Sequence, residues 1–366
     1  MPPLTAQILP APAPRTVLAA GAFLKHRACL LHGDRVWWTP LHGDLSTPQA
    51  CAAMQTSLDG LLQAAGVTPE VVAHDLHPDF PCTQAAQALA QRLAVPAHAV
   101  QHHQAHIGVV MAEQGWRGDS AVFGLALDGV GLGSDGQAWG GELLSVTAAG
   151  STRVAHLAPL ALPGGDAAAR EPWRVAAAVL HALGRGDEIV ARYAPKVGDV
   201  MAAGVATLLA RSLRCPPSSA AGRWFDAAAA ALGLAPRVQA EAEAAIALEQ
   251  AATHWLEVNP MPNLPVPSLD LHGLVGSLFQ EADPGRGAAR FHGALADALV
   301  QAAAEQGAHE LVLSGGCLHN RLLSRLVNEG AADRGITCWR PTTVDCGDAG
   351  LALGQAWLAA HALETC

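Results

Sequence analysis

The stretch VLAAGAF (17–23), running on through KHRACLLHGDRVWWTPL (25–41), decides the fold. Apolar residues alternate along it, and Gly33 and Asp34 stand at its centre as a tight-turn pair, so it reads as antiparallel strands of a β-meander. A second meander starts at AVFGLALDG (121–129), crosses a glycine-rich stretch to Gly141 and continues into ELLSVTAAG (142–150). Helices and further strands follow each of them. After the first come helical spacing over 48–66, a buried strand in EVVAHDLHP (70–78) that stops at Pro78, a helix at 83–94 and a short strand at 97–101. After the second come a long helical region from 166 to 256, a strand in HELVLSGG (309–316), a helix over 320–330, a strand around ITCWRP (336–341), a loop through Asp348 and a closing helix.

This pattern predicts an α/β protein of two duplicated lobes with a cleft between them. The first lobe is expected at 15–161 and the second at 162–366, with the last helix packing back on the first lobe. Residues 1–14, rich in proline, read as a loose tail.

Composition narrows the function. With 366 residues, 51% of them hydrophobic, the chain can bury the cores of two lobes. Its 22 basic and 32 acidic residues give a net charge of −10, and no segment gathers Lys and Arg among aromatics, so nucleic acid is not an expected partner. No window is apolar enough for a membrane span, and the N-terminus lacks the pattern of a signal peptide. The eight cysteines are scattered without a C-x-x-C pair, which suits reduced thiols in the cytoplasm.

Three motifs can carry chemistry. In QHHQAHIGVV (101–110), His102 and His106 stand four apart, which on a helix puts both imidazoles on one face and lets them share an ion. Asp128 in LALDGVG and Asp348 in DCGDAGLALGQ lie at strand ends or glycine turns, where side chains point into clefts of α/β proteins. Together the four would form a mixed nitrogen and oxygen site for a divalent metal, iron or zinc first. A structural or exposed pair of histidines and two aspartates that cap turns or helices fit the same residues.

LVLSGGCLHNRLL (311–323) is a strand, a glycine turn and a helix start, an arrangement that can cradle a phosphate. LPGGDAAAREPWR (162–174) packs Asp166, Arg170, Glu171 and Arg174 around a Gly-Gly turn, which offers either an oxyanion site or a capped helix with surface ion pairs.

In one order along the chain, AGAFLK, GDL, VAHDLHPDF, HHQAH, LALDGVGLGSDGQAWGGE, LPGGDAAAREPWR, GRWFDAAAAALGL, SGGCLHNRLL and CGDAGLALGQA resemble the C-terminal carbamoyltransferase domain of the HypF family. More distantly they are similar to the proteins that make threonylcarbamoyladenosine in tRNA and to O-carbamoyltransferases. The resemblance spans residues 17 to about 358. It implies the actin-like, sugar-kinase and Hsp70-type ATPase (ASKHA) fold, with ligand held between the lobes. It places His102, His106, Asp128 and Asp348 at the family's metal positions, and Gly315, Gly316 and Asn320 at its nucleotide-contacting turn. Asp226 and Glu241 match positions near the nucleoside, and Lys25 matches the lysine of the first meander. Where the family usually reads tyrosine-glutamate-glycine-glutamine, this chain has Ala240, Glu241, Ala242 and Glu243.

The activity so implied is transfer of a carbamoyl group from carbamoyl-adenylate, made from carbamoyl phosphate and ATP with Mg²⁺, to the C-terminal cysteine of HypE for cyanide ligands of [NiFe]-hydrogenase. The acylphosphatase, zinc and YrdC-like modules of full-length HypF do not appear in this sequence, so an activating YrdC-like module is expected to act in trans and this chain to perform the last transfer. Two other outcomes stay open. One is metal-dependent hydrolysis of carbamoyl phosphate or carbamoyl-adenylate, and the other is a non-catalytic docking module for HypE. The terminal Cys366 reads as an incidental thiol.

Overall fold

The computed structural model describes residues 6–362. The first half of the chain runs β1 (Gln7–Ile8), β2 (Val17–Ala19), β3 (Cys29–His32), β4 (Arg35–Trp38), α1 (Pro48–Ala65), β5 (Val71–Asp75), α2 (Pro81–Leu93), β6 (Ala97–Val100) and α3 (His102–Gln114). Next come β7 (Val122–Leu132), β8 (Ala138–Thr147), β9 (Gly150–His156) and β10 (Leu160–Ala161). The helices α4 (Ala167–Arg170), α5 (Trp173–Ala182), α6 (Glu188–Val197) and α7 (Asp199–Ala210) lead to β11 (Pro217–Ser218). The chain continues through α8 (Ala221–Ala231), α9 (Glu243–Leu256), α10 (His272–Leu278), α11 (Pro284–Glu305), β12 (Glu310–Ser314), α12 (Arg321–Asp333), β13 (Thr337–Trp339) and α13 (Leu351–Ala362).

The duplication is written in the strand order. One sheet contains the path β4-β3-β2-β5-β6 and the other β9-β8-β7-β12-β13. In each, three antiparallel meander strands are extended by two strands parallel to the first of them. The two-lobed α/β expectation is met.

Period-2 alternation explains how both sheets are covered. In β2, Leu18 packs toward α1 and α2 with Met54, Leu58 and Leu89, while Val17 and Ala19 face α3 and α13. In the second sheet Ala126 and Val312 share that same central layer with α3 and α13, and Leu125, Leu127, Leu311 and Leu313 turn to α8, α9, α11 and α12. The helices α3 and α13 are therefore sandwiched between the sheets, and nearly every residue of both is buried. Helix α3 starts on the Gln101 side chain, which accepts the Gln104 N–H, and stops at Gly115 in the left-handed conformation.

The lobe boundary differs from the expected one. Strands β7 to β10, assigned above to a first lobe ending at 161, hydrogen-bond in the second sheet, so the division falls between α3 and β7. The reason is long-range: β7 pairs in parallel with β12, Leu311 opposite Phe123 through Ser314 opposite Ala126. The tail is also shorter than expected. Within it, β1 pairs with β4, Leu9 and Ala13 are buried, and only residues 1–5 lie outside the description, as do 363–366 with Cys366. Among the described residues no helix is long and apolar enough to cross a membrane.

Candidate functional site

Four side chains converge where the central helix meets the second sheet. His102 and His106 project from the first turns of α3, Asp128 from β7 where the strand shifts register, and Asp348 from the turn before α13. One ligand-type atom from each lies within 4.8 Å of all the others. His102 Nε2 is 3.2 Å from Asp128 Oδ2 and 3.5 Å from Asp348 Oδ1, and His106 Nε2 is 3.5 and 3.6 Å from the same two oxygens.

Their electrostatics fit a cation. Burial disfavours charge on the aspartates, but His102 and His106 outweigh it and hold Asp128 well below the usual carboxylate range, with Asp348 lowered as well. Both nitrogens of His106 and Oδ1 of Asp348 are buried without a hydrogen-bond partner. Buried polar atoms without partners are costly, and His106 Nε2 and Asp348 Oδ1 lie close to each other and to His102 Nε2 and Asp128 Oδ2, as donor atoms around a metal do. The residues present thus fit a divalent ion.

Two residues outside the expected set support this quartet. Asp75, at the end of β5, is buried and places Oδ2 2.7 Å from His102 Nδ1, while its Oδ1 accepts the His77 N–H. A carboxylate behind a ligating histidine fixes the ring and leaves the other nitrogen free for metal. Replacement by asparagine, Asp75→Asn, is expected to weaken metal affinity by about 10–100-fold, read by titration against a competing chelator. Affinity equal to that of the parent protein would remove Asp75 from this role. Near the end of α3, the Glu113 carboxylate accepts the backbone N–H groups of Thr342, Thr343 and Val344 and both threonine hydroxyls at 2.6–3.0 Å. The helix that carries both histidines thereby also ties down the segment leading to Asp348.

A cavity of about 620 Å³ opens beside the quartet and is lined by Asp128, Asp348, Gly316, Lys25, Asp226 and Glu241 among others. Lys25 reaches across the cleft from the first sheet to Glu241, Nζ to Oε1 at 3.0 Å. Burial works against its charge, but Glu241 together with Asp348 and Asp128 outweighs burial and raises its pKa. The next residue but one to Glu241 on the N-terminal side, Gln239, and Ala240 donate their N–H groups to Glu243, which fixes the loop. Ala242 there takes φ 59, a left-handed conformation that costs a residue with a Cβ, at the position where the resembling family reads glycine.

The glycine turn behaves differently from a simple phosphate cradle. Gly316 lines the cavity, and a Cβ on it would sit 3.0 Å from Asp128 Oδ1. Gly315 does not line it: with φ 106 it lies against the backbone of Leu127, where a Cβ would come within 2.3 Å of the carbonyl oxygen. Asn320 lines the cavity but caps α12, its Oδ1 accepting the Leu323 N–H and its Nδ2 lying 2.9 Å from His292 Nε2. The first amides of α12, at Arg321 and Leu322, already donate to Glu249 Oε1, so that helix start is not free for a phosphate. In the loop 162–174, Glu171 is held by Arg174 and Arg237, while Asp166 and Arg170 stay exposed on the cavity wall.

Asp226 sits on the cavity wall with its Oδ2 2.9 Å from an Arg223 guanidinium nitrogen, though not aligned for a hydrogen bond. Burial pushes its pKa up to about 7, against the pull of Arg223. A carboxyl raised in the fold favours folding fully at low pH and loses that contribution as pH rises from its unfolded value through about 7. Asp226→Asn, which cannot ionise, is therefore expected to gain in Tm relative to the parent protein between pH 4 and pH 8, read by thermal melting across that range. A constant difference in Tm would show that Asp226 stays charged throughout.

Known proteins resemble this chain over both lobes. A model described as "Carbamoyltransferase, Kae1-like Domain, second subdomain" matches residues 124–355, and one described as "HypF Kae1-like domain" matches 12–113. The chain belongs to the HypF carbamoyltransferase family. Its two matched segments part between α3 and β7, where the sheets part. A carbamoyltransferase HypF homologue from Cupriavidus necator is 54% identical over 98% of this chain and 95% of its own length. HypF2 from the same organism is 43% identical over 94% of this chain but only 46% of its own, so the chain spans about half of that HypF relative. The HypF crystal structure from T. kodakarensis matches with a TM-score of 0.88 at 29% identity, over 99% of this chain and 49% of that one. A full-length HypF solved in phosphate- and nucleotide-bound form matches with a TM-score of 0.87 at 28% identity, over 98% of this chain and 48% of that one.

Proposed function

We propose that this chain carries out the last carbamoyl transfer of HypF chemistry, from carbamoyl-adenylate to the C-terminal cysteine thiol of HypE, for cyanide ligands of [NiFe]-hydrogenase. The observation that carries it is the convergence of His102, His106, Asp128 and Asp348 at the wall of a cavity of about 620 Å³, within a HypF-type chain. The nucleotide-bound state of the solved HypF relative supports a nucleotide in that cavity.

In the transfer, a bond forms between the acceptor sulfur and the carbamoyl carbon, and the bond from that carbon to the adenylate oxygen breaks. AMP leaves with the electron pair, and the thiol proton passes to solvent. A divalent metal, iron or zinc, held by the two histidines and two aspartates would supply Lewis acidity to a carbonyl or phosphate oxygen. Lys25 and Arg170 bring positive charge to the cavity wall, which suits an anionic leaving group and a thiolate. Asp226 and Glu241 offer acceptors for ribose hydroxyls. Carbamoyl-adenylate itself, from carbamoyl phosphate, ATP and Mg²⁺, would come from a YrdC-like module in trans. The setting is the cytoplasm.

The test is mass spectrometry of HypE after incubation with this chain and synthetic carbamoyl-adenylate, in parallel with carbamoyl phosphate, ATP and Mg²⁺. Carbamoylation from the adenylate alone is the expected result. Release of AMP with no modified HypE would replace the transferase reading by a hydrolytic one, and no turnover at all would leave a docking module.

A further inference from the structure

Beside the large cavity lies a smaller one, about 330 Å³, whose lining includes Arg321, Arg325, Arg340 and His319 and no carboxylate. Arg321 and Arg325 stand one turn apart on α12, and Arg340 follows β13. Among the described residues, the side chains of Arg321 and Arg340 make no hydrogen bond or ion pair, and Arg325 reaches only Glu329 at 3.9 Å, with both ends exposed. The chain has more acidic than basic residues, 32 against 22, yet three arginines line this one small cavity without an acid in the lining. Arginines that line one cavity without an acid leave their charge to an oxyanion from outside, and guanidinium groups suit a carboxylate bidentately.

The position is as informative as the charge. His319 lines both cavities, and a Cβ on Gly347, the residue before Asp348, would lie 3.2 Å from its ring. The larger cavity mixes acids such as Asp226, Glu241 and Glu249 with Lys25, Arg170 and Arg223, whereas the lining of the smaller one has only cationic charge. His319 is itself a cation at neutral pH, because its contact with Asp345 and the nearby Cys346 raise its pKa to about 10.

We infer that Arg321, Arg325 and Arg340 form an oxyanion subsite that takes the terminal carboxylate of the acceptor peptide, next to the transfer cavity. This rests on the proposed transfer to a C-terminal cysteine. Such a residue carries its thiol and its carboxylate on neighbouring carbons, so an anchored carboxylate confines the sulfur to the shared wall at His319. The subsite therefore distinguishes a chain-terminal cysteine from an internal one.

The test uses the full chain and a short peptide copying the HypE C-terminus with its last cysteine replaced by serine, made as free acid and as amide. Fluorescence anisotropy of the labelled peptides is expected to show the acid bound about tenfold more tightly than the amide. The doubly substituted Arg321→Gln, Arg340→Gln protein, with its folding checked by melting, is expected to bind both peptides like the amide. With the cysteine peptides and carbamoyl-adenylate, the acid-to-amide ratio of kcat/KM should fall from about ten toward one in the same variant. Absence of an acid preference in the parent protein, or a preference that survives in the variant, overturns the inference. So does inorganic phosphate binding that depends on the arginines while acid and amide peptides bind alike, since that makes the pocket a free-phosphate site. An intact acid preference with no carbamoyl transfer would instead sink the transferase reading and leave the subsite standing.

Discussion

Alanine at His106 should strip the protein of its metal and lower carbamoyl transfer by about three orders of magnitude, the scale of several kcal/mol of Lewis-acid stabilisation. His106 is fully buried, and neither ring nitrogen has a hydrogen-bond partner in the protein. Its polar contacts are those with Asp128 and Asp348 inside the quartet, so the loss isolates the site rather than a wider network. The remaining His102, Asp128 and Asp348 offer three donors, one of them already bonded by Asp75 through its second nitrogen. Metal content by elemental mass spectrometry, read together with transfer from synthetic carbamoyl-adenylate, gives the result. Stoichiometric metal in a folded His106→Ala protein would place the ion elsewhere, and full transfer without metal would remove the ion from the chemistry.

What the sequence discloses about this site divides along the range of the interactions. His102 and His106 were legible because their spacing is local, and helix α3 turns that spacing into a shared face. Asp128 and Asp348 are legible as carboxylates beside glycines, but the strand end expected at Asp128 is a register shift inside β7, and Asp348 sits in the turn before α13; the strand-end logic fits Asp75 in VAHDLHP, the last residue of β5. Glu113 had no local mark at all, since its partners Thr342, Thr343 and Val344 come from the far end of the chain. The same distance hides Glu249, which takes the α12 amides that a strand-turn-helix motif by itself offers to a phosphate. Gly315 also packs against the Leu127 backbone, a contact from a distant strand that the motif does not mark.

The fold shows the same split. Alternation placed both meanders, because a half-buried strand imprints its own period on the sequence. It could not tell which sheet the second meander joins, as that depends on β7 meeting β12. The extended cover of the tail on β4 escaped for a similar reason: proline-rich sequence excludes a helix but is compatible with a short edge strand such as β1.

The largest effect on stability should come from a glycine that no motif marks as structural for the metal. Gly354 lies in α13 where it crosses α3, and a Cβ there would stand 1.8 Å from the carbonyl oxygen of Ala105 and 2.8 Å from the Val109 nitrogen. On the facing helix, a Cβ at Gly108 would stand 2.9 Å from the Gly354 carbonyl oxygen and 2.7 Å from Leu358. The two glycines let the backbones approach directly, so neither helix can yield by rotating a side chain. Helix α3 follows β6 and α13 follows the turn after β13, equivalent places in the two lobes, which makes this crossing the joint of the duplicated fold. Gly354→Ala should therefore cost about 3 kcal/mol or more, at or beyond the upper end of ordinary overpacking, against a small gain in helix propensity of about 1 kcal/mol. Denaturant unfolding measures it. Ala105 sits between His102 and His106, so whatever fraction of Gly354→Ala stays folded should have its helices pushed apart at the quartet and bind metal less tightly. A variant as stable as the parent protein, with unchanged metal affinity, would mean that the helices can separate at this crossing without disturbing either core, and the close contact would then be incidental to the fold.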